Sequence, residues 1–180
     1  MIGAALLACA PNIAPATLET VIRVESGGDP LALHVNGLRL QPPPAKTAAE
    51  AARIAESYVR RGFSVDLGLM QVNSRHLATH GVTMEAVLEP CTNIRIGAAI
   101  LTDNYAAAAR TLGDGQPALQ AALSAYNTGD FVRGFANGYV ARYFAPGATP
   151  VGHMMLAAPA NPYTADTSVL ARGASHVRIE

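Results

Sequence analysis

The stretch VIRVESGGDP, Val21 to Pro30, decides how the rest of the chain is read. Counting back from it, Leu18, Val21, Ile22 and Glu25 recur at i, i+3, i+4 and i+7, the spacing of one helix face. A carboxylate therefore sits on a stripe that otherwise belongs to a core, where an unpaired charge is costly. Gly27 and Gly28 end the helix, because glycine readily takes the left-handed conformation of a helix terminus, and Asp29-Pro30 blocks its resumption. Pro15 suits the first turn, so the helix is expected from Pro15 to Glu25 or Ser26. In its last turn Glu25 either bends out to solvent or a neighbouring backbone, or looks into a cleft. In apolar surroundings such a carboxyl has a raised pKa and keeps its proton near neutrality, as a general acid must. On that reading activity falls as pH rises through the pKa of Glu25.

Working outward, LALHVNGLRL places Asn36-Gly37 between two short apolar runs, a signal for a hairpin with a two-residue turn. After the rigid QPPPAK connector, Thr47 and Glu50 form a capping box that opens a helix through about Arg61, ended by Gly62. FSVDLGLMQVNSRHLATHG begins as an extended segment, breaks at Gly68 and turns helical from about Asn73. Thr83 caps a short helix through Leu88. From Thr92 to Leu112, Ile94, Gly97, Ala98, Leu101, Tyr105, Ala108 and Leu112 make the stripe of a long central helix rich in small residues. Pro117 starts another apolar helix ending near AYNTGD, and one more is expected from about Asp130 to Tyr143. The expected organisation is one mainly helical catalytic domain, 1–145, and a Pro/Ala-rich tail, 146–180, without sustained periodicity.

Of the 180 residues half are apolar and 14% charged, and the formal net charge is zero, so the basic footprint of a nucleic-acid binder is missing. No apolar run approaches the roughly 18 residues of a membrane span. The opening MIGAALLACA is short for a signal peptide and has no early Lys or Arg; its LLAC matches the end of a lipoprotein signal without the preceding regions. Cys9 and Cys91, the two cysteines, fit either one disulfide in an oxidising compartment or two buried thiols. His76 and His80 have an i, i+4 spacing used in zinc sites, but no Glu or third ligand accompanies them, so no metal is expected.

Three motifs occur in order: VESGGDP at 24–30, GLMQVN at 68–73 and SAYNTG at 124–129, with EPCTNIRIGAAIL (Glu89 to Leu101) between the last two. Together they resemble the lytic transglycosylases of the goose-type lysozyme superfamily. The insertion from HVNG to RRGFSVDLGLMQ, and NTGDFVRGFANGYV, resemble more narrowly the peptidoglycan-cleaving subunits of type IV secretion systems. The resemblance covers about Cys9 to Tyr143 and implies a lysozyme-like, mainly α (α+β) fold with a small β-hairpin insertion between the catalytic helix and GLMQ. It also implies that Glu25 is the sole catalytic carboxylate and that Ser26 helps orient the Glu and the sugar. Gln71 would be the polar contact and Met70 the apolar wall beside the N-acetyl group. Tyr126 and Asn127 would hold the sugar, and the Tyr139 hydroxyl would position the catalytic Glu.

The implied reaction cleaves the bond between N-acetylmuramic acid and N-acetylglucosamine without water, closing a 1,6-anhydro ring; no cofactor is implied. The implied partners are peptidoglycan strands and type IV secretion subunits, and the substrate implies a periplasmic location. Two alternatives stay open. Asp66, two residues before GLMQ, would make the protein a hydrolytic muramidase if it reached the cleft as a second carboxylate, but as a short polar residue beside Gly it reads more simply as a turn residue. A glycan-binding assembly factor without turnover is the alternative from another class.

Overall fold

The computed structural model describes residues 3–144. Helix α1 (Ala4–Leu7) precedes α2 (Pro15–Ser26), whose start and end are those expected from Pro15 and Gly27. Strand β1 (Leu33–Val35), helix α3 (Ala48–Arg60) and strands β2 (Val65–Leu67) and β3 (Val72–Asn73) follow. Helix α4 (Pro90–Leu112) is the longest among the described residues, and α5 (Gln116–Thr128) and the short α6 (Arg133–Ala136) follow it. The expected tail, 146–180, lies outside the described residues. No helix among the described residues is long and apolar enough to cross a membrane.

The β element lies where the sequence placed it, but its pairing differs. Leu33, His34 and Val35 run antiparallel to Leu67, Asp66 and Val65 of β2, which pairs in turn with β3. Asn36-Gly37 makes a turn, yet the run after it forms no strand. The Gln41 carboxamide takes that strand's place: Val35 N–H donates to its Oε1 at 2.7 Å, and its Nε2 donates to the Val35 carbonyl at 3.0 Å. A side-chain amide carries the same donor and acceptor as a peptide, so it satisfies the edge without a second strand.

Helix α3 forms as its capping box requires. Thr47 Oγ1 accepts from Glu50 N–H at 3.1 Å, while the Glu50 carboxylate reaches one residue beyond the cap to the Lys46 N–H at 2.8 Å. The helix expected over Asp130 to Tyr143 is instead two pieces, α6 and a 3-10 turn over Val140–Tyr143. Gly138, at φ 78°, interrupts it where a continuing helix needs negative φ.

The chain forms two compact units. Among the described residues, the first, 3–10 and 21–97, contains the sheet, α3, the end of α2 and the start of α4. Its buried residues include Ile22, Val35, Ala55, Val65, Leu67, Met70, Leu88 and Ile94. Within it Cys9 and Cys91 are joined in a disulfide that ties the N-terminal segment to the first turn of α4. The second, 11–20 and 98–144 among the described residues, contains the rest of α4 with α5 and α6, and buries Leu101, Tyr105, Leu119, Leu123 and Tyr143 among others.

Candidate active site

Glu25 and Ser26 close α2, and both are half-buried. Gly27, at φ 65°, caps the helix by donating its N–H to the Arg23 carbonyl at 3.1 Å. The Ser26 hydroxyl points at two carbonyls, Leu69 at 2.8 Å and Ile22 at 3.1 Å, and accepts the Gly28 N–H at 3.2 Å. The residue next to Glu25 is thereby fastened to the loop between β2 and β3.

That loop, Gly68 to Gln71, is a strained turn. Gly68 has φ 72°, and Gln71, at φ 48°, is the one non-glycine residue with positive φ among the described residues. Such a conformation persists where the surroundings over-determine it. Here Gln71 N–H and Nε2 both donate to the Gly68 carbonyl, at 3.1 and 3.0 Å, and Nε2 also reaches the Ala32 carbonyl at 3.3 Å. Gln71 is half-buried. Met70, expected as the apolar wall, is fully buried.

Beneath the loop lies Asn93, fully buried in the first turns of α4. Its Oδ1 accepts the Met70 N–H at 2.7 Å, and its Nδ2 donates to the carbonyls of Leu67 and Val87, both at 2.8 Å. A Cβ added at Gly68 would fall 2.4 Å from that Nδ2, so the loop needs glycine there for space as well as for φ. Sequence reading missed Asn93. The signal was available: it is a polar residue four positions before Gly97 on an otherwise apolar stripe, the same anomaly that singled out Glu25.

The second unit carries the other expected residues. Tyr126 is half-buried and Asn127 exposed in the last turn of α5, which Gly129 ends at φ 71°. The turn after them is braced by buried Ser124, whose hydroxyl donates to the Asp130 carbonyl at 2.6 Å and accepts the Gly134 N–H at 2.8 Å. Gly134 has no room for a side chain, since a Cβ would fall 2.7 Å from the Ser124 Cα. The Asp130 carboxylate accepts the N–H groups of Val132 and Arg133, which hold its pKa below the ordinary value. Tyr139 is buried, with its hydroxyl 2.6 Å from that of Tyr143 and the two rings edge to face.

Asp66 is engaged within the sheet. Its two carboxylate oxygens accept from Asn73 Nδ2 at 2.6 Å and Asn36 Nδ2 at 2.8 Å. Burial raises its pKa, opposed by those two amides and by the nearby His34 and His76. His76 ends a 3-10 turn over Ser74–His76 and is exposed, so His76 and His80 do not share the helix their spacing suggested. Among the described residues no group of three or more His, Cys, Asp or Glu is placed to hold a metal ion.

The transglycosylase SLT domain family matches residues 4–143 of the chain. Protein virB1 of Agrobacterium fabrum is 44% identical over 134 residues, 73% of this chain and 53% of that protein. Protein virB1 of Rhizobium radiobacter is 41% identical over 134 residues, 73% of this chain and 54% of that protein. The type IV secretion system protein virB1 of Brucella suis is 40% identical over 128 residues, 71% of this chain and 53% of that protein. The chain thus spans about half the length of the curated relatives it matches. No solved structure matches it.

Proposed function

The chain belongs to the transglycosylase SLT domain family, and from that premise we propose that it is a peptidoglycan lytic transglycosylase serving a type IV secretion or conjugation machine in the periplasm. The observation that carries the reading is the end of α2: a half-buried Glu25 followed by Ser26, whose hydroxyl is bonded to the GLMQ loop. The helix end that carries Glu25 is thereby fastened through Ser26 to the segment that the resemblance assigns to the N-acetyl group.

In the proposed reaction the protonated Glu25 donates its proton to the glycosidic oxygen, and the bond from C1 of N-acetylmuramic acid to that oxygen breaks. The substrate's acetamido oxygen stabilises the cation developing at C1. The Glu25 carboxylate then takes the proton of the muramoyl C6 hydroxyl, whose oxygen bonds to C1 and closes the 1,6-anhydro ring. Glu25 ends the cycle protonated, and no water is consumed. Gln71, Tyr126 and Asn127 are proposed to bind the sugars, Met70 to hold the Gln71 loop from beneath, and Tyr139 to position the carboxyl.

A hydrolase of this class ordinarily needs a second carboxylate. The engagement of both Asp66 oxygens by Asn36 and Asn73 supports a structural role for that residue and so favours the transglycosylase. The test is mass spectrometry of soluble fragments from purified peptidoglycan treated with the wild type and with Glu25→Gln. Anhydro-muramoyl ends from the wild type alone are expected. Reducing ends would make the protein a muramidase, and fragments of equal yield from both proteins would remove Glu25 from the mechanism. No fragments from either would favour a glycan-holding assembly factor.

A further inference from the structure

We propose that Asn93 is a positioning residue for the reaction, setting the Gly68–Gln71 loop against the end of the catalytic helix; this rests on the functional reading above. The structural basis is one peptide group. The Leu69–Met70 peptide is planar and rigid, with its carbonyl and N–H on opposite edges. Ser26, adjacent to Glu25, holds the carbonyl edge at 2.8 Å, and Asn93 holds the N–H edge at 2.7 Å. Gripped on both edges, the plane cannot rotate without breaking one bond or the other. Gln71, with its φ of 48°, follows directly on the residue whose N–H edge is held.

Asn93 is itself fixed. Two carbonyls, Leu67 and Val87, require donors and one N–H requires an acceptor, so only one orientation of the carboxamide satisfies all three. Leu67 ends β2 and Val87 lies in the turn before α4, so the side chain joins strand, loop and helix start at one buried point. Removing it leaves a buried N–H and two buried carbonyls without this partner, and the strained turn loses the grip that over-determines it.

The test compares the wild type with Asn93→Ala and Asn93→Asp, each verified as folded by near-UV circular dichroism below its melting temperature. kcat and KM are measured on purified peptidoglycan fragments, and binding of the N-acetylglucosamine trisaccharide is measured by calorimetry. Asn93→Ala is expected to lose about 10²-fold in kcat/KM, the scale of a catalytic arrangement displaced by about 1 Å. It is also expected to bind the trisaccharide about tenfold more weakly, a shift small enough to reflect loss of one oriented contact.

Asn93→Asp gives a signature that a purely stabilising residue would not. As a neutral acid the new side chain keeps a carbonyl acceptor for the Met70 N–H and one O–H donor; as a carboxylate it has no donor. Its kcat/KM relative to wild type should therefore rise as pH falls. A folded Asn93→Ala with wild-type kcat, KM and trisaccharide binding, changed in melting temperature alone, would overturn the inference. If the wild type binds the trisaccharide but releases no anhydro ends, weaker binding by Asn93→Ala still supports the positioning role, and it is the proposed reaction that fails.

Discussion

At the scale of single residues, Glu25 and Asp66 show how two carboxylates part company. The half-buried place of Glu25 at the end of α2 was legible because it breaks a helical period. The role of Asp66 was not, because it depends on strand register: His34, Asp66 and Asn73 are cross-strand neighbours on β1, β2 and β3, residues separated by α3 and the GLMQ turn. Asp66→Asn puts an NH2 where one oxygen accepted an amide, so one hydrogen bond is lost and two donors face each other. We expect about 1–3 kcal/mol of destabilisation in a denaturant titration, with anhydro-muramoyl ends still the product. A switch in product, or loss of turnover in a variant that remains folded, would instead put Asp66 in the chemistry. The pH dependence has a definite sign. Burial raises the folded pKa of Asp66 above its unfolded value, so the folded state binds the proton more tightly. Its contribution to stability declines as pH rises through the interval between the ordinary carboxylate pKa and the raised one. Asp66→Asn should lack that decline, which paired urea titrations across the acid range will show.

At the scale of elements, the first turn of α4 organises the first unit, and helix-end chemistry explains why its start was partly legible. The sequence expected a helix from Thr92, and the structure begins it at Pro90 because Glu89 supplies the cap. The Glu89 carboxylate accepts the N–H groups of Cys91 at 3.0 Å and Thr92 at 2.6 Å, and these donors, the Cys91 N–H first, lower its pKa. Glu89→Ala should cost about 0.5–1 kcal/mol, near the low end for caps because water competes at an exposed site. Here the sign opposes that of Asp66. A depressed folded pKa gives stability that is present above the ordinary value and lost as pH falls through the folded one. The difference in stability between wild type and Glu89→Ala should therefore shrink as the solution is acidified below about pH 4.5. A difference that stays constant to pH 2 would show that the cap does not depend on the carboxylate's charge. What stayed illegible at this scale were non-local substitutions of one partner for another: the Gln41 amide standing in for a strand, and Ser124 reaching Asp130 and Gly134. Helix periodicity carries no record of either.

At the scale of the whole molecule, motif order made the family legible, while the division into two units and the pairing of the cysteines needed coordinates. The sequence left Cys9 and Cys91 open between a bridge and two thiols; the structure joins them across a separation of 82 residues. Closing a loop that long restricts the unfolded chain by up to about 4.5 kcal/mol in the chain-entropy model, a large share of a small domain's stability. The variant carrying both Cys9→Ser and Cys91→Ser should therefore unfold at a clearly lower denaturant concentration, and dithiothreitol should move the wild type the same way but leave the variant unmoved. The bridge also ends two residues before Asn93, which raises the question of whether it sets the site or only holds the fold. Asn93 has three partners of its own in Leu67, Met70 and Val87, none of them in the segment that Cys9 tethers. Well below its melting temperature, then, the double variant should keep wild-type kcat/KM on peptidoglycan fragments. Equal activity with lowered stability would mark the disulfide as a staple for life in an oxidising compartment. A loss of activity while folded would mean that the first turn of α4 depends on the bridge for its position, making site geometry sensitive to the redox state of one cysteine pair.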